Sequence, residues 1–127
     1  MLTTEEIGKA GEDAAVAYLV NQGYRIRERN YANRGGLRLG EIDIVAENKR
    51  EIIFVEVKAA FLMVGSENRL PEWQITRSKL RKMEKAAAIY LKEKRLIERE
   101  YSFDAIAVTF RVDEEPEIRH LDHIFFS

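Results

Sequence analysis

The chain of 127 residues has no cysteine, which excludes disulfides and thiolate metal sites. Imidazole is nearly as scarce. His120 and His123 are the only histidines, and three positions apart on a strand they would point to opposite faces, so a shared metal site is not expected. No apolar run approaches the roughly 18 residues of a membrane span. The N-terminus is acidic where a secretory signal needs positive charge and an apolar core, so the expectation is a cytoplasmic protein with no membrane partner. Internal repeats, low-complexity tracts, glycine-rich phosphate loops and nucleophile elbows are all missing. With 46% hydrophobic and 34% charged residues, the composition is that of an ordinary soluble protein. A chain of this length buries about two-thirds of its unfolded surface around one core, so residues 1–127 are expected to form a single domain.

What the sequence does have is charge inside apolar strands. Gly40-Glu41-Ile42-Asp43-Ile44-Val45-Ala46 and Phe54-Val55-Glu56-Val57-Lys58 both read as buried β-strand, yet they carry three acids and a lysine. Such groups are rarely buried unless paired or bound to a metal. Glu47-Asn48-Lys49-Arg50 is a polar, turn-forming break, which makes the two runs the arms of an antiparallel hairpin. If Ala46 pairs with Glu51, Glu41 lies opposite Glu56 and Asp43 opposite Phe54, diagonal to Glu56. Alternation then sends Glu41, Asp43, Glu56 and Lys58 to one face and Ile42, Ile44, Ile53, Val55 and Val57 to the other. A one-residue slip would separate the two clusters.

Converging carboxylates suit a hard cation such as Mg²⁺ or Mn²⁺, which would polarise a phosphoryl oxygen and activate a bound water. An adjacent ammonium, Lys58, could orient that water or stabilise developing negative charge. Metal-dependent phosphodiester cleavage is the leading reading. An ordinary edge strand with a cross-strand Glu-Lys pair explains the spacing equally well.

Asp43 followed by Glu56-x-Lys58 on the next strand resembles the signature of the PD-(D/E)xK nuclease superfamily, with Ile42 in place of the proline before the aspartate. A wider pattern adds Gly8, Gly11-Glu12, Gly23-Tyr24, Arg29-Asn30-Tyr31, Gly40-Glu41-Ile42-Asp43, Ala87 through Leu91, and Phe103-Asp104. In that order these resemble the YraN-like (UPF0102) family of small bacterial proteins, predicted endonucleases similar to archaeal Holliday-junction resolvases. The resemblance implies that Asp43 and Glu56 are metal ligands, that the carbonyl of Val57 is a further ligand and that Lys58 is the catalytic lysine. It also implies that Glu12 is an additional active-site acid, and it includes Glu41 in the family motif. Two departures stand out. Ala59-Ala60 replaces the polar pair that usually follows the lysine, and residues 34–39 lengthen the link before Gly40.

Net charge is only −1, but its distribution is uneven. Residues 77–99 hold nine Lys or Arg against three Glu, and residues 25–38 hold five Arg against Glu28. A basic rim around an acidic metal centre suits a polyanion, while a solvated Lys/Arg-rich helix face reads the same way in sequence.

Along the chain the pattern predicts an order α-β-β-β-α-β-β. Thr3 and Glu6 are placed for a capping box, and Ile7, Ala10, Ala14, Tyr18 and Leu19 form the apolar stripe of a first helix ending at Gly23. Tyr24 to Tyr31 reads as a strand, and residues 59–71 as a long loop leaving the active-site strand. A second helix runs from between Pro71 and Ser78 to about Lys94, with Leu80, Met83, Ala87, Tyr90 and Leu91 inward. Phe103 to Phe110 reads as a buried strand, and Glu117 to Phe126 as a last strand at an edge. Trp73 is expected in the core or an interface, Gln74 near the metal site, and Asp104 in a hydrogen-bonding role.

The expected fold is therefore an α/β, restriction-endonuclease-like domain with a mixed sheet flanked by helices. Its expected activity is Mg²⁺-dependent endonucleolytic cleavage of structured DNA. By resemblance the substrate is branched or junction DNA, whose two-fold character suits a homodimer. The alternative is a noncatalytic nucleic-acid-binding module.

Overall fold

The structure, a computed structural model, describes residues 2–32, 41–63 and 76–124. The expectations for the link before Gly40, for Trp73 and for Gln74 fall outside these residues. The elements are α1 (Thr4–Asn21), β1 (Arg25–Ala32), β2 (Glu41–Glu47), β3 (Glu51–Leu62), α2 (Arg77–Glu93), β4 (Glu100–Arg111) and β5 (Glu117–Leu121), in the expected order. The strands form one mixed sheet in the order β1-β2-β3-β4-β5, parallel between β3 and β4 and antiparallel elsewhere.

Local chemistry sets the helix ends. The Thr3 hydroxyl accepts the Glu6 N–H at 3.1 Å, and the Glu6 carboxylate accepts the Thr3 N–H at 2.9 Å, completing the capping box. At the other end Gly23, at φ +96°, lets the N–H groups of Gly23 and Tyr24 reach the carbonyls of Val20 and Leu19 at 3.0 Å each. This is a Schellman motif, and the left-handed turn it needs favours glycine. α2 ends in the same way without glycine: Arg95, at φ 57°, is followed by Leu96, whose N–H donates to Leu91 O at 2.7 Å.

The two helices cover opposite faces of the sheet. α1 buries Gly11, Ala15 and Leu19 against Ile44, Ala46, Ile53, Val55, Ile106 and Val108. That face is rotated from the expected stripe, which leaves Ala14 and Tyr18 only partly buried. The cause is close approach: a Cβ on Gly11 would sit 2.4 Å from the Cβ of Ala59. α2 buries the predicted Leu80, Met83, Ala87, Tyr90 and Leu91, together with Ala86. Phe54 stands at the centre of that face, with its ring 6.0 Å from Tyr90, 5.9 Å from Tyr101 and 5.7 Å from Phe103.

The hairpin register differs from the expected one. Ile44 pairs with Val55, Val45 with Phe54, Ala46 with Ile53 and Glu47 with Ile52, a shift of two residues. Glu47 therefore belongs to β2 instead of the turn. The turn is tightened by Asn48, whose side-chain oxygen accepts the N–H groups of Arg50 at 2.8 Å and Glu51 at 2.9 Å in an Asx turn. A shift of two keeps the alternation, so Ile44, Ile53, Val55 and Val57 still share the α1 face. Ile42 does not join them. It packs with Val45, Ile52 and Phe54 on the α2 face, so alternation along β2 breaks at Asp43.

Two strand ends also move. β3 continues through Ala59 and Ala60 to Leu62, alongside β4 to Arg111, so residues 59–62 are strand where a loop was expected, and the part of that expectation beyond Met63 falls outside the described residues. β5 stops at Leu121.

Candidate active site

The break at Asp43 marks a fork in the sheet. The β2–β3 pairing ends at Ile44 and Val55. Beyond that point β2 stays with β1 as far as Glu41 and Ala32, and β3 stays with β4 as far as Leu62 and Arg111. In an antiparallel ladder hydrogen-bonded pairs alternate. Because Asn48 N–H donates to Glu51 O, the next such pair beyond Ile44 and Val55 would have joined Val57 to Ile42. The Asp43 carboxylate takes that N–H instead, at 2.8 Å.

One prong thus carries Glu41 and Asp43, and the other carries Glu56, Val57 and Lys58. Continuing the observed register sets Asp43 level with Glu56 and Glu41 level with Lys58, in place of the expected Glu41–Glu56 pairing. Asp43 acts electrostatically on Glu56. Burial raises the Glu56 carboxyl to about 7, with Asp43 the next cause and the Lys79 ammonium opposing both. Burial likewise raises Asp43, against the Val57 N–H and Lys79, while Glu12 and Glu41 add to the rise. All four acids therefore share one electrostatic neighbourhood.

Glu12 reaches it from α1. Its Oε1 accepts Arg29 Nε at 2.9 Å and Asn30 Nδ2 at 3.1 Å, and its side chain is largely covered. Asn30 lies level with Asp43 in the β1–β2 register and adopts φ 53°. That left-handed conformation is one asparagine tolerates better than most residues. The Lys58 side chain is exposed, and its ammonium makes no ion pair or hydrogen bond among the described residues. The cation at the acidic pair comes instead from α2: Lys79 Nζ lies 3.2 Å from Glu56 Oε1. In the sequence Lys79 was only one member of the basic run. The usable signal was topological, since a helix following a strand in a β-α-β unit begins near the end of that strand.

Two further polar clusters lie elsewhere. Glu47, 8% exposed, accepts bonds from Arg25, from Arg27 at 3.0 Å and from Arg99 at 3.0 Å. Arg27 is the extra residue of a bulge in β1, between Ile26 and Glu28, and it also donates to the Tyr90 hydroxyl at 2.8 Å. Asp104, fully buried, meets Ser102 Oγ at 3.0 Å, His120 Nε2 at 2.7 Å and the His123 N–H at 3.2 Å. With Asp104 as a carboxylate, His120 carries its proton on Nε2, and Nδ1 accepts the Tyr18 hydroxyl at 2.9 Å. His123 sits past the end of β5, with its ring directed at Glu51, 3.2 Å away. Asp104 therefore fastens β4, β5 and α1 together, the hydrogen-bonding role expected of it.

The model of the uncharacterised protein family UPF0102 matches residues 11–108. The chain belongs to this family. The UPF0102 protein of Trichlorobacter lovleyi is 39% identical over 122 residues, covering 95% of this chain and 91% of its relative. That of Geobacter metallireducens is 37% identical over 124 residues, covering 98% and 95%. That of Persephonella marina is 43% identical over 102 residues, covering 80% and 81%. Among solved structures, Pyrococcus furiosus SfsA in complex with Ca²⁺ is similar at 18% identity and a TM-score of 0.36, over 96% of this chain and 64% of that one.

For this UPF0102 protein the fit to a metal rests on the donors at the fork. Among the described residues no group of three or more His, Cys, Asp or Glu side chains is arranged to hold a metal ion. The candidate set is therefore two carboxylates, Asp43 and Glu56, with the Val57 carbonyl beside them. Few protein oxygens and several retained waters are what Mg²⁺ tolerates. Two half-buried acids, both raised by burial and Glu56 further by the Asp43 charge, also have charge for a cation to neutralise. No described helix is long and apolar enough to cross a membrane.

Proposed function

We propose that this UPF0102 protein is a metal-dependent endonuclease that hydrolyses phosphodiester bonds in structured DNA, branched or junction DNA in particular. The observation that supports it is the fork. A sheet that parts at one point, with an acid on each prong and a backbone N–H diverted to one of them, makes room for a cation and a phosphate where a continuous ladder would leave none. Asp43, Glu56 and the Val57 carbonyl would hold Mg²⁺ or Mn²⁺, which supplies Lewis-acid polarisation of a phosphoryl oxygen when bound.

The chain's own residues do the rest. The Val57 N–H fixes the Asp43 carboxylate, and Glu12, held by Arg29 and Asn30, adds negative charge behind it. Lys58 extends from the prong of Glu56 with its ammonium unengaged among the described residues, available to orient a water or to meet charge developing on the phosphate. Glu41, on the opposite prong, keeps that edge acidic. The exposed basic residues of α2, such as Arg81, Lys82 and Lys85, would contact phosphates away from the cut and make binding salt-dependent. Two such sites in a symmetric dimer would match the two-fold character of a junction.

The test is cleavage of labelled linear, flapped and four-way-junction DNA with Mg²⁺ or Mn²⁺ by the wild type, Asp43→Ala and Glu56→Ala. Metal-dependent cutting that disappears in both variants supports the proposal. A second reading, a noncatalytic nucleic-acid-binding module, draws on the exposure of Lys58, which no described acid holds in place. It predicts junction binding without cutting, unchanged by Asp43→Ala.

A further inference from the structure

Lys79 occupies the first turn of α2, and its backbone is fixed there. The Thr76 hydroxyl caps its N–H at 3.1 Å, and the next residue, Leu80, is buried. From that anchor the side chain crosses to β3, placing Nζ 3.2 Å from Glu56 Oε1. The contact is lopsided. The Glu56 side chain is 17% exposed and that of Lys79 47%, so the acid is held in place while the lysine has open space into which it can withdraw. Lys79 also acts on Asp43, the acid of the other prong. Lys58, the lysine of the strand motif, makes no such contact among the described residues.

An ammonium and a divalent cation compete for the same carboxylate lone pairs. We propose that Lys79 is a tethered counter-cation of the Asp43–Glu56 pair, a positioning residue that holds the place of the divalent metal and must leave Glu56 for the metal to bind. This rests on the metal-binding reading above and adds to it a residue from outside the strand motif. The flexible four-carbon stem allows the exchange, since an ammonium is a compact point charge with no fixed planar geometry to preserve. Lys79 then sets the metal concentration at which the site fills, and between fillings it offsets the repulsion between the two acids.

The test is calorimetric titration of the full chain with Mn²⁺, comparing wild type, Lys79→Met, Lys79→Arg and, as a control for lost positive charge on the same helix, Arg81→Met. Lys79→Met is expected to bind Mn²⁺ roughly three- to tenfold tighter, the size of effect a half-exposed ion pair can exert. Lys79→Arg should stay close to wild type, and Arg81→Met should change by less than about twofold. Equal or weaker binding by Lys79→Met, or an equal gain in Arg81→Met, overturns the role of Lys79 and leaves the nuclease reading standing. Absence of Mn²⁺ binding in all four proteins overturns both.

Discussion

The Asp43 carboxylate and the Val57 N–H, 2.8 Å apart, replace the backbone bond that would have closed the sheet at the point where its two prongs part. Asp43 has two tasks there, one structural and one electrostatic, and substitution separates them. Asn keeps an oxygen for the Val57 N–H and removes the charge. Ala removes both and leaves a half-buried donor unpaired, which costs about 1–3 kcal/mol where water cannot reach it. Asp43→Ala is therefore expected to be about 1–2 kcal/mol less stable than Asp43→Asn in urea unfolding, with metal-dependent cleavage lost in both. Equal midpoints for the two variants would show that the bond does not hold the fork.

Glu56 gives a pH dependence of known sign. Its carboxyl is raised from 4.5 to about 7, by burial first and by Asp43 second. Between those values the folded protein keeps a proton that the unfolded chain has released, so stability falls as pH rises through the window and levels off above it. Glu56→Gln has no charge to bury. It should be more stable than wild type by about 1–3 kcal/mol at pH 8, once solvent screening is allowed for, and the difference should vanish below pH 4.5. Urea titrations from pH 4 to pH 8 measure it, and a gap independent of pH would refute the burial of charge.

Element order, the Thr3–Glu6 capping box, the buried stripe of α2 and the closeness of Asp43 and Glu56 were legible because each depends on local pattern. The hairpin register was not. Whether Asn48 lies in the turn as a linker or organises it through its own side chain decides between pairings two residues apart, and both leave the same faces apolar. The break at Asp43 was hidden for a related reason: alternation is a property of a paired strand, and here the pairing stops. Glu47 read as turn because a buried carboxylate is recognisable only with its arginines, which come from residues 25, 27 and 99. Lys79 looked like one charge in a basic run because the distance from helix to strand is not written in either segment.

Two glycines of α1 should respond to alanine with opposite signs. Gly8 has open space around its missing Cβ, so Gly8→Ala gains helix propensity of up to about 1 kcal/mol. At Gly11 the added carbon would stand 2.4 Å from the Ala59 Cβ, and the overpacking cost of about 1–3 kcal/mol outweighs the same gain. Thermal unfolding of the two variants should bracket the wild type. The same contact makes Ala60, and not Ala59, the position at which a polar residue can follow Lys58 without pushing α1 away.

The end of α2 offers a stabilising change. Arg95 holds φ 57° in a turn that glycine adopts without steric cost, whereas a residue with a Cβ loses roughly 1–2 kcal/mol there. Glycine also gains freedom in the unfolded chain, which returns about 0.4–1 kcal/mol of that advantage. Arg95→Gly should therefore raise stability by about 0.5–1 kcal/mol. A lower unfolding midpoint would mean that the arginine side chain contributes more than its backbone costs.

Glu47 should behave as the opposite of Glu56. Burial alone would raise its carboxyl, but the bonds from Arg25, Arg27 and Arg99 outweigh that and hold it below 4.5. A depressed folded value means that the carboxylate contributes stability above pH 4.5, which is lost as pH falls through the folded value. Glu47→Gln keeps the shape and an acceptor oxygen but leaves three guanidinium groups facing a neutral amide. Losing one partner of a buried charge cluster costs about 3–5 kcal/mol when fully enclosed. Because Arg25 and Arg99 are partly open to water, about 2–4 kcal/mol at pH 7 is expected. The difference from wild type should shrink as the native carboxylate protonates in acid. A loss of the same size at pH 7 and pH 3 would assign the effect to packing instead of charge.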